Sequence, residues 1–187
     1  MKIGIDVRLW NETGVGRYIR NLVVNLAQID SENEYVLFAR RKDREQIKKL
    51  VPSKQWKVIV VDIRWHTITE QFLFASVINK ENLTVMHFPY FSLPILYRKP
   101  FVVTIHDLII HHFSTGKAST LPVPLYKVKR RGYEQVLQYA VKRGKKIIVP
   151  LQAVKKDLVH AFHVPETKIM VTPEGFDTNV SLAKTGT

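Results

Sequence analysis

The sharpest chemical signal in the sequence is Thr104-Ile105-His106-Asp107, a histidine and a carboxylate directly behind a short apolar run. A histidine just past a buried strand can donate a hydrogen bond to a substrate hydroxyl or polarise a leaving oxygen, because modest changes in its surroundings set its charge. Asp107 can orient that imidazole or accept from a hydroxyl. The structural alternative is that His106 packs on the next loop and Asp107 caps it. A second stretch, Met86-His87-Phe88-Pro89-Tyr90-Phe91, puts aromatics beside a histidine. His87, Phe88 and Tyr90 can form a wall on which a sugar or base stacks, or the stretch is a hydrophobic loop folded over a sheet edge. A third is the polar loop Asn11-Glu12-Thr13-Gly14-Val15-Gly16, behind which Arg17 opens a helix. The first turn of a helix leaves backbone N–H groups without partners, its dipole is positive there, and glycines let a phosphate or hydroxyl come close. The alternative is that the two glycines only make a tight turn and close strand–helix packing.

Other chemistries find little support. The glycine loop is a poor dinucleotide fingerprint: Arg20 stands near the third glycine position, and no acidic residue ends the next strand. There is no cysteine, which removes disulfides, thiolate metal sites and a cysteine nucleophile. His106, Asp107, His111 and His112 lack metal-ligand spacing on a helix, so no metal is expected. No Gly-x-Ser-x-Gly elbow is present.

These residues must be positioned by a framework, and the hydrophobic pattern supplies one. Residues 2–7 read as a buried strand. The helix opened by Arg17 carries Ile19, Leu22, Val23 and Leu26 on one face. Further strands are expected at 35–38, 56–61, 83–88, 100–105, 146–149 and 168–171. The 56–61 strand is nearly all apolar and is expected to be buried on both faces. Helices are expected at 43–50 (capped by Asp43, with Ile47 and Leu50 inward), at 67–78 (repeating apolar residues at 68, 72, 75 and 78), at 122–143 (buried side at 125, 128, 136, 137 and 140) and at 152–162. Strands alternating with helices predict an α/β fold: a Rossmann-like open, mainly parallel sheet with helices on both faces. In such sheets ligands bind beyond the carboxyl ends of the strands. Gly14 and Gly16, His87, His106 with Asp107, and Glu174 with Gly175 all follow different strands, so a parallel sheet brings them to one edge.

The chain has 187 residues, 45% of them hydrophobic, enough for one sizeable core. Its 29 basic against 16 acidic residues give a formal charge of +13, which draws anionic partners: phosphorylated substrates, an acidic lipid leaflet or nucleic acid. Basic residues crowd 127–146, either as a face for anionic headgroups or as a solvated surface. No nucleic-acid motif is present, so no specific nucleic-acid partner is expected. No apolar run is long enough to span a membrane. The N-terminus enters a strand at once, leaving no room for a signal peptide, and with no disulfides this fits a cytoplasmic setting.

With these pieces assembled, the sequence resembles the N-terminal domain of retaining glycosyltransferases of family 4, which have the GT-B fold. The matching stretches are Gly14-Val15-Gly16-Arg17-Tyr18-Ile19-Arg20-Asn21-Leu22, His87-Phe88-Pro89, Val103-Thr104-Ile105-His106-Asp107-Leu108, Ile147-Ile148-Val149-Pro150, Ala153-Val154-Lys155-Lys156-Asp157-Leu158 and Val171-Thr172-Pro173-Glu174-Gly175-Phe176-Asp177, in that order. The resemblance implies two Rossmann-like domains facing across a cleft, with the acceptor held mainly on this one. Gly14, Val15, Gly16 and Arg17 would then lie beside the donor diphosphate. His106 would sit by the transferred sugar, and His87, Phe88 and Tyr90 would face the acceptor. The helix at 122–143 would lie where members working on lipid-linked acceptors touch the membrane, in this case the inner face as a peripheral contact. Glu174 and Gly175 would begin the crossing to the second domain.

Two departures qualify this. Residues 1–176 account for one acceptor-side domain and 177–187 for a tail or the start of the crossing, so the nucleotide-sugar domain is absent from the sequence. Leu151 stands where the family commonly places a serine or threonine, which removes a helix cap. The expectation is a glycosyltransferase acting on a nucleotide-sugar donor, which is a substrate rather than a cofactor, and on a carbohydrate or lipid-linked acceptor. The domain alone is expected to turn over little. The rival readings are a non-catalytic sugar-binding or interaction module and, behind it, a basic nucleic-acid-binding domain.

Overall fold

The computed structural model describes residues 1–52, 54–108 and 123–175. Seven strands form one sheet: β1 (Lys2–Asp6), β2 (Glu34–Ala39), β3 (Trp56–Val60), β4 (Val85–Phe88), β5 (Phe101–Thr104), β6 (Lys146–Val149) and β7 (Ile169–Val171). Every neighbouring pair is parallel, and the order is β3-β2-β1-β4-β5-β6-β7. The helices are α1 (Gly14–Ile29), α2 (Arg44–Leu50), α3 (Ala75–Lys80), α4 (Val123–Arg143) and α5 (Gln152–Phe162).

Successive side chains of a strand point to opposite faces, and β2 shows that both faces are covered. Tyr35, Leu37 and Ala39 pack in one core with Ile19 and Val23 of α1 and Ile47 of α2. Val36 and Phe38, on the other face, join a core that holds Phe74, Ala75 and Ile78, and that continues through β4–β6 to Leu137 and Ala140 of α4 and Leu158 of α5. The sheet is doubly wound, and the strand order reverses between β1 and β4. A crevice opens beyond the carboxyl ends of the strands at such a reversal.

Strand β6 and helix α5 have the bounds expected from the pattern, and Leu151 stands at the α5 N-cap without a side-chain hydrogen bond. Other elements differ, for local reasons. Helix α1 begins at Gly14, three residues before Arg17, so both glycines lie in its first turn and not in a loop. The cause is packing: a Cβ on Gly16 would lie 2.7 Å from the carbonyl oxygens of both Leu9 and Trp10. Asp43 stands at the N-cap of α2, but its side chain makes no capping hydrogen bond. It is buried and accepts a hydrogen bond from Asn11 Nδ2 at 2.5 Å, while Leu50 turns outward, 44% exposed. Strand β3 is an edge strand, so one side lacks a neighbour and its faces are only partly covered.

The expected 67–78 helix is present as a continuous helical run over 68–80, but it passes through a π-helical segment, Glu70–Phe74, ahead of α3. Its inward residues are Glu70, Phe74, Ala75 and Ile78, whereas Ile68, Phe72 and Leu73 are exposed. Ala75 and Ile78 are thus inward as expected, and the change at the start of the segment follows from Arg8. Its guanidinium lies 3.8 Å over the Phe74 ring and bonds Glu70, which pulls both residues, one turn apart, to the inside. In α4, Leu137 and Ala140 are buried as expected but Val128 is exposed. The side chain at 125, His111, His112 and the tail at 177–187 lie outside the described residues.

Candidate active site

The site forms where the loop after β1, the ends of β4 and β5, and the segment after β7 meet. The first contribution is the start of α1. Thr13 stands at its N-cap without a side-chain hydrogen bond, and the first turn contains no acidic residue. The orphan N–H groups and the positive end of the dipole are therefore uncompensated by any carboxylate of the helix itself. Gly14 presents open space, with nothing within 4 Å of where a Cβ would be. Gly16 is closed in by the Leu9 and Trp10 carbonyls. The two glycines thus divide the roles weighed from the sequence: Gly16 serves close packing and Gly14 faces open space.

One turn further along α1, Tyr18 reaches the end of β5. Its hydroxyl lies 3.1 Å from Thr104 Oγ1, and the same oxygen lies 2.9 Å from His87 Nε2 at the end of β4. This chain of polar groups closes the floor between β4, β5 and α1. Burial, and then the nearby charge of His106, push the His87 pKa down to about 4, so the ring is neutral at pH 7. Burial also raises the Tyr18 phenol above its ordinary value.

His106 stands on that floor. Its ring meets Tyr18 edge-on at 4.9 Å between centroids. Nε2 is 2.9 Å from the carbonyl oxygen of Pro89, and Nδ1 is 2.9 Å from Glu174 Oε1. A carbonyl oxygen and a carboxylate only accept, so each ring nitrogen donates in the bond it makes. The side chain of His106 is 14% exposed and that of Glu174 is 46% exposed. Of the two partners, Glu174 is the one at the surface.

The expectations for individual residues sort accordingly. His106, Tyr18 and the α1 start come together, and Glu174 joins them from 68 residues away. The Glu174 carboxylate and the Pro89 carbonyl hold the His106 ring. Asp107 is exposed, and after burial its charge is the next cause of the raised Tyr90 pKa, about 12; it also helps raise Tyr133. His87 is 7% exposed and bonded to Thr104, so it supports the floor and does not line an open wall. Phe88 is fully buried between Tyr97 and Phe101 and is a core residue, because the inward pleat of β4 includes it. Tyr90 is half-buried against Phe91 at 4.4 Å, with His66 edge-on at 5.9 Å. Arg17 is exposed on α1, and Gly175 presents open space.

Sequence reasoning assigned no role to Tyr18, Thr104 or the charged cluster beside them. Arg8 is 2% exposed and forms a forked contact with Asp6, Nε to Oδ1 at 2.9 Å and Nη2 to Oδ2 at 2.7 Å. Nη2 also reaches Glu70 Oε1 at 2.6 Å, and Nη1 donates to the Ile63 carbonyl at 3.1 Å. Glu70 accepts from Ser92 Oγ at 3.1 Å and from the His66 backbone N–H at 2.9 Å. Burial raises the Glu70 carboxyl above its ordinary value despite Arg8. His66 itself takes a left-handed backbone, φ 57°. The cluster ties the end of β1 to the loop after β3 and to the loop after β4. The available signal was Asp6 and Arg8 flanking an apolar strand end.

Among the described residues no three His, Asp or Glu side chains gather as metal ligands. No helix among them is long and apolar enough to cross a membrane.

A doubly wound parallel sheet with polar groups and an open helix start gathered at its reversal point is the Rossmann-like half of a GT-B fold. The profile of Glycosyltransferase Family 4 matches residues 13–180, and the chain belongs to that family. Solved structures agree on the fold. HepE from Anabaena, determined in complex with UDP and glucose, aligns with a TM-score of 0.58 at 15% identity, over 95% of this chain and 45% of HepE. A glycosyltransferase from Rickettsia africae aligns with a TM-score of 0.55 at 19% identity, over 93% of this chain and 43% of that one. The chain therefore spans less than half the length of either. Curated proteins give no sequence match.

Proposed function

We propose that this chain is the acceptor-side half of a retaining glycosyltransferase that moves a sugar from a nucleotide-sugar donor to a carbohydrate or lipid-linked acceptor. The carrying observation is the His106 imidazole, standing edge-on to Tyr18 in the first turns of α1 with its nitrogens on Pro89 O and Glu174. In this reading the open N–H groups at Gly14 and Val15, with the helix dipole behind them, face the donor diphosphate, and Arg17 adds positive charge nearby. A sugar hydroxyl displaces the exposed Glu174 carboxylate from Nδ1 and takes its hydrogen bond. The Pro89 carbonyl keeps the ring in place, and the imidazole holds the transferred sugar by that hydroxyl while negative charge passes to the leaving diphosphate oxygen at the helix start as the sugar–phosphate bond breaks and the new glycosidic bond forms. Asp107, beside Tyr90 and Tyr133, faces the acceptor. A second domain holds most of the donor, and Glu174 and Gly175 begin the crossing to it. HepE, with UDP and glucose bound, supports a nucleotide-sugar for this chain too. The chemistry calls for no metal, and the setting is the cytoplasm, with the basic surface of α4 toward the inner membrane face.

The test is turnover by a two-domain form of the protein. His106→Ala should lower kcat by about a hundredfold or more, the scale of a lost transition-state hydrogen bond, with the thermal midpoint unchanged. Chelation should leave turnover as it was. Undiminished turnover in the alanine variant removes the role given to His106.

A further inference from the structure

A second concentration of charge lies on the opposite edge of the sheet. The connection before β5, the end of α4 with the turn into β6, and the approach to β7 together enclose an open crevice of about 470 Å³. It is lined by Arg98, Lys99, Lys142, Arg143, Lys145 and Lys168, with Phe101 and Gly144 between them and no acidic residue. All six cations come from the amino ends of β5, β6 and β7, whereas the candidate active site lies beyond the carboxyl ends. Strands of three or four residues separate the two edges by roughly 10–13 Å.

Part of this charge has an ordinary explanation. Lys168 Nζ lies 2.7 Å from the carbonyl oxygens of Val141 and Lys142, the last turn of α4, where cations suit the helix dipole. Lys99 Nζ donates to the Asn79 carbonyl at 3.1 Å. Lys142 and Arg143 stand in that same last turn, and the Arg98 guanidinium lies 5.6 Å over the Tyr139 ring, but neither arrangement neutralises their charge. Arg98, Lys142, Arg143 and Lys145 are exposed, and none of the six forms an ion pair with a carboxylate among the described residues. Like charges held this close repel one another. Lys168 shows it, its pKa lowered by burial and then by the charge of Lys145. A multiply charged anion relieves that repulsion, and two guanidinium groups offer the forked donors that phosphate oxygens take.

We propose that this crevice binds a phosphate-bearing anion, at a site separate from the one that handles the donor. The anion is either a free phosphorylated solute or a phospholipid headgroup, since both present the same oxygens. Its nearest ligands are Arg98, Arg143 and Lys145. Lys168 keeps the α4 end in place and adds charge from behind.

The experiment uses the 187-residue chain, labelled with ¹⁵N and titrated with pyrophosphate at constant ionic strength set by chloride. Saturating shifts of the Gly144, Lys145 and Lys168 amides are expected, weakened at least tenfold by Arg143→Gln/Lys145→Gln. The charge-keeping pair Arg143→Lys/Lys145→Arg should retain binding. Both variants change exposed side chains, and an unaltered spectrum elsewhere verifies their fold. A second arm sediments the chain with phosphatidylglycerol or phosphatidylcholine vesicles. Capture by the former alone, lost in the Gln pair, assigns a lipid headgroup; pyrophosphate binding without capture assigns a free solute. Shifts that never saturate, that map away from the crevice, or that persist in the Gln pair, with vesicle capture unaffected by it, overturn the proposal. None of these readouts depends on sugar transfer, so the proposal stands or falls apart from the glycosyltransferase reading.

Discussion

At the scale of the residue, the floor under His106 depends on one hydroxyl. Thr104 Oγ1 lies between Tyr18 and His87, and both partners are largely shielded from water. Thr104→Val keeps the shape but strands two polar groups, so a loss of about 1–3 kcal/mol of unfolding free energy is expected in urea titration. Tyr18→Phe removes only one partner and should cost less, near 1 kcal/mol. Gly16 offers a sharper case. Alanine there must push the Leu9–Trp10 backbone aside, at an expected cost of about 1–3 kcal/mol, while alanine at Gly14 meets open space. Thermal melts of the two variants should separate the packing glycine from the one that faces solvent.

At the scale of the element, most of the architecture was legible in the sequence. The strand–helix alternation follows from apolar periodicity, and residues 146–149 and 152–162 gave strand and helix ends at their observed positions, where the burial of Ile147, Val149, Val154 and Leu158 agrees with the local pattern. The misreadings share a cause. The 67–78 segment has apolar residues at helical spacing, and Ala75 and Ile78 are inward as expected, but the buried Arg8 selects Glu70 and Phe74 in the first half, so Ile68, Phe72 and Leu73 point outward. No local window contains both residue 8 and residue 70. Asp43 likewise looks like a cap until Asn11, 32 residues away, accounts for it. Two changes test these points. Glu70→Ala leaves the Arg8 guanidinium buried with one carboxylate fewer, and a loss of about 3–5 kcal/mol is expected from chemical denaturation. Leu151→Asp supplies the missing N-cap of α5 and should add about 1 kcal/mol.

At the scale of the whole molecule, stability should follow pH through the buried histidine. His87 is held near pKa 4 in the folded chain against about 6.5 when unfolded. The unfolded state therefore binds the extra proton between those values, so stability is fully present above pH 6.5 and lost as pH falls toward 4. His87 alone accounts for up to about 3 kcal/mol of that loss. His66 has its pKa lowered to about 4 as well and acts in the same direction, but it is more exposed and contributes less. Urea midpoints measured from pH 7.5 to 4.5 should fall, and His87→Gln should flatten the curve. The gathering of strand ends at one edge could be read from the sequence once a parallel sheet was inferred. The particular pairing could not: Glu174 and His106 are joined only because β5, β6 and β7 lie side by side, and spacing in the chain carries no trace of that.

The loop ahead of α1 is fastened at several points at once. Trp10 is wholly buried, its carbonyl takes a short hydrogen bond from Arg20, Asn11 is tied to Asp43, and Gly16 rests directly on the loop's backbone. On the proposed reading, an anion arriving at the helix start finds the cradle already rigid, so little configurational freedom is surrendered on capture. Loosening any one fastening should slow no chemistry by itself, yet should make the cradle bind more weakly, with the deficit carried in the entropy of association.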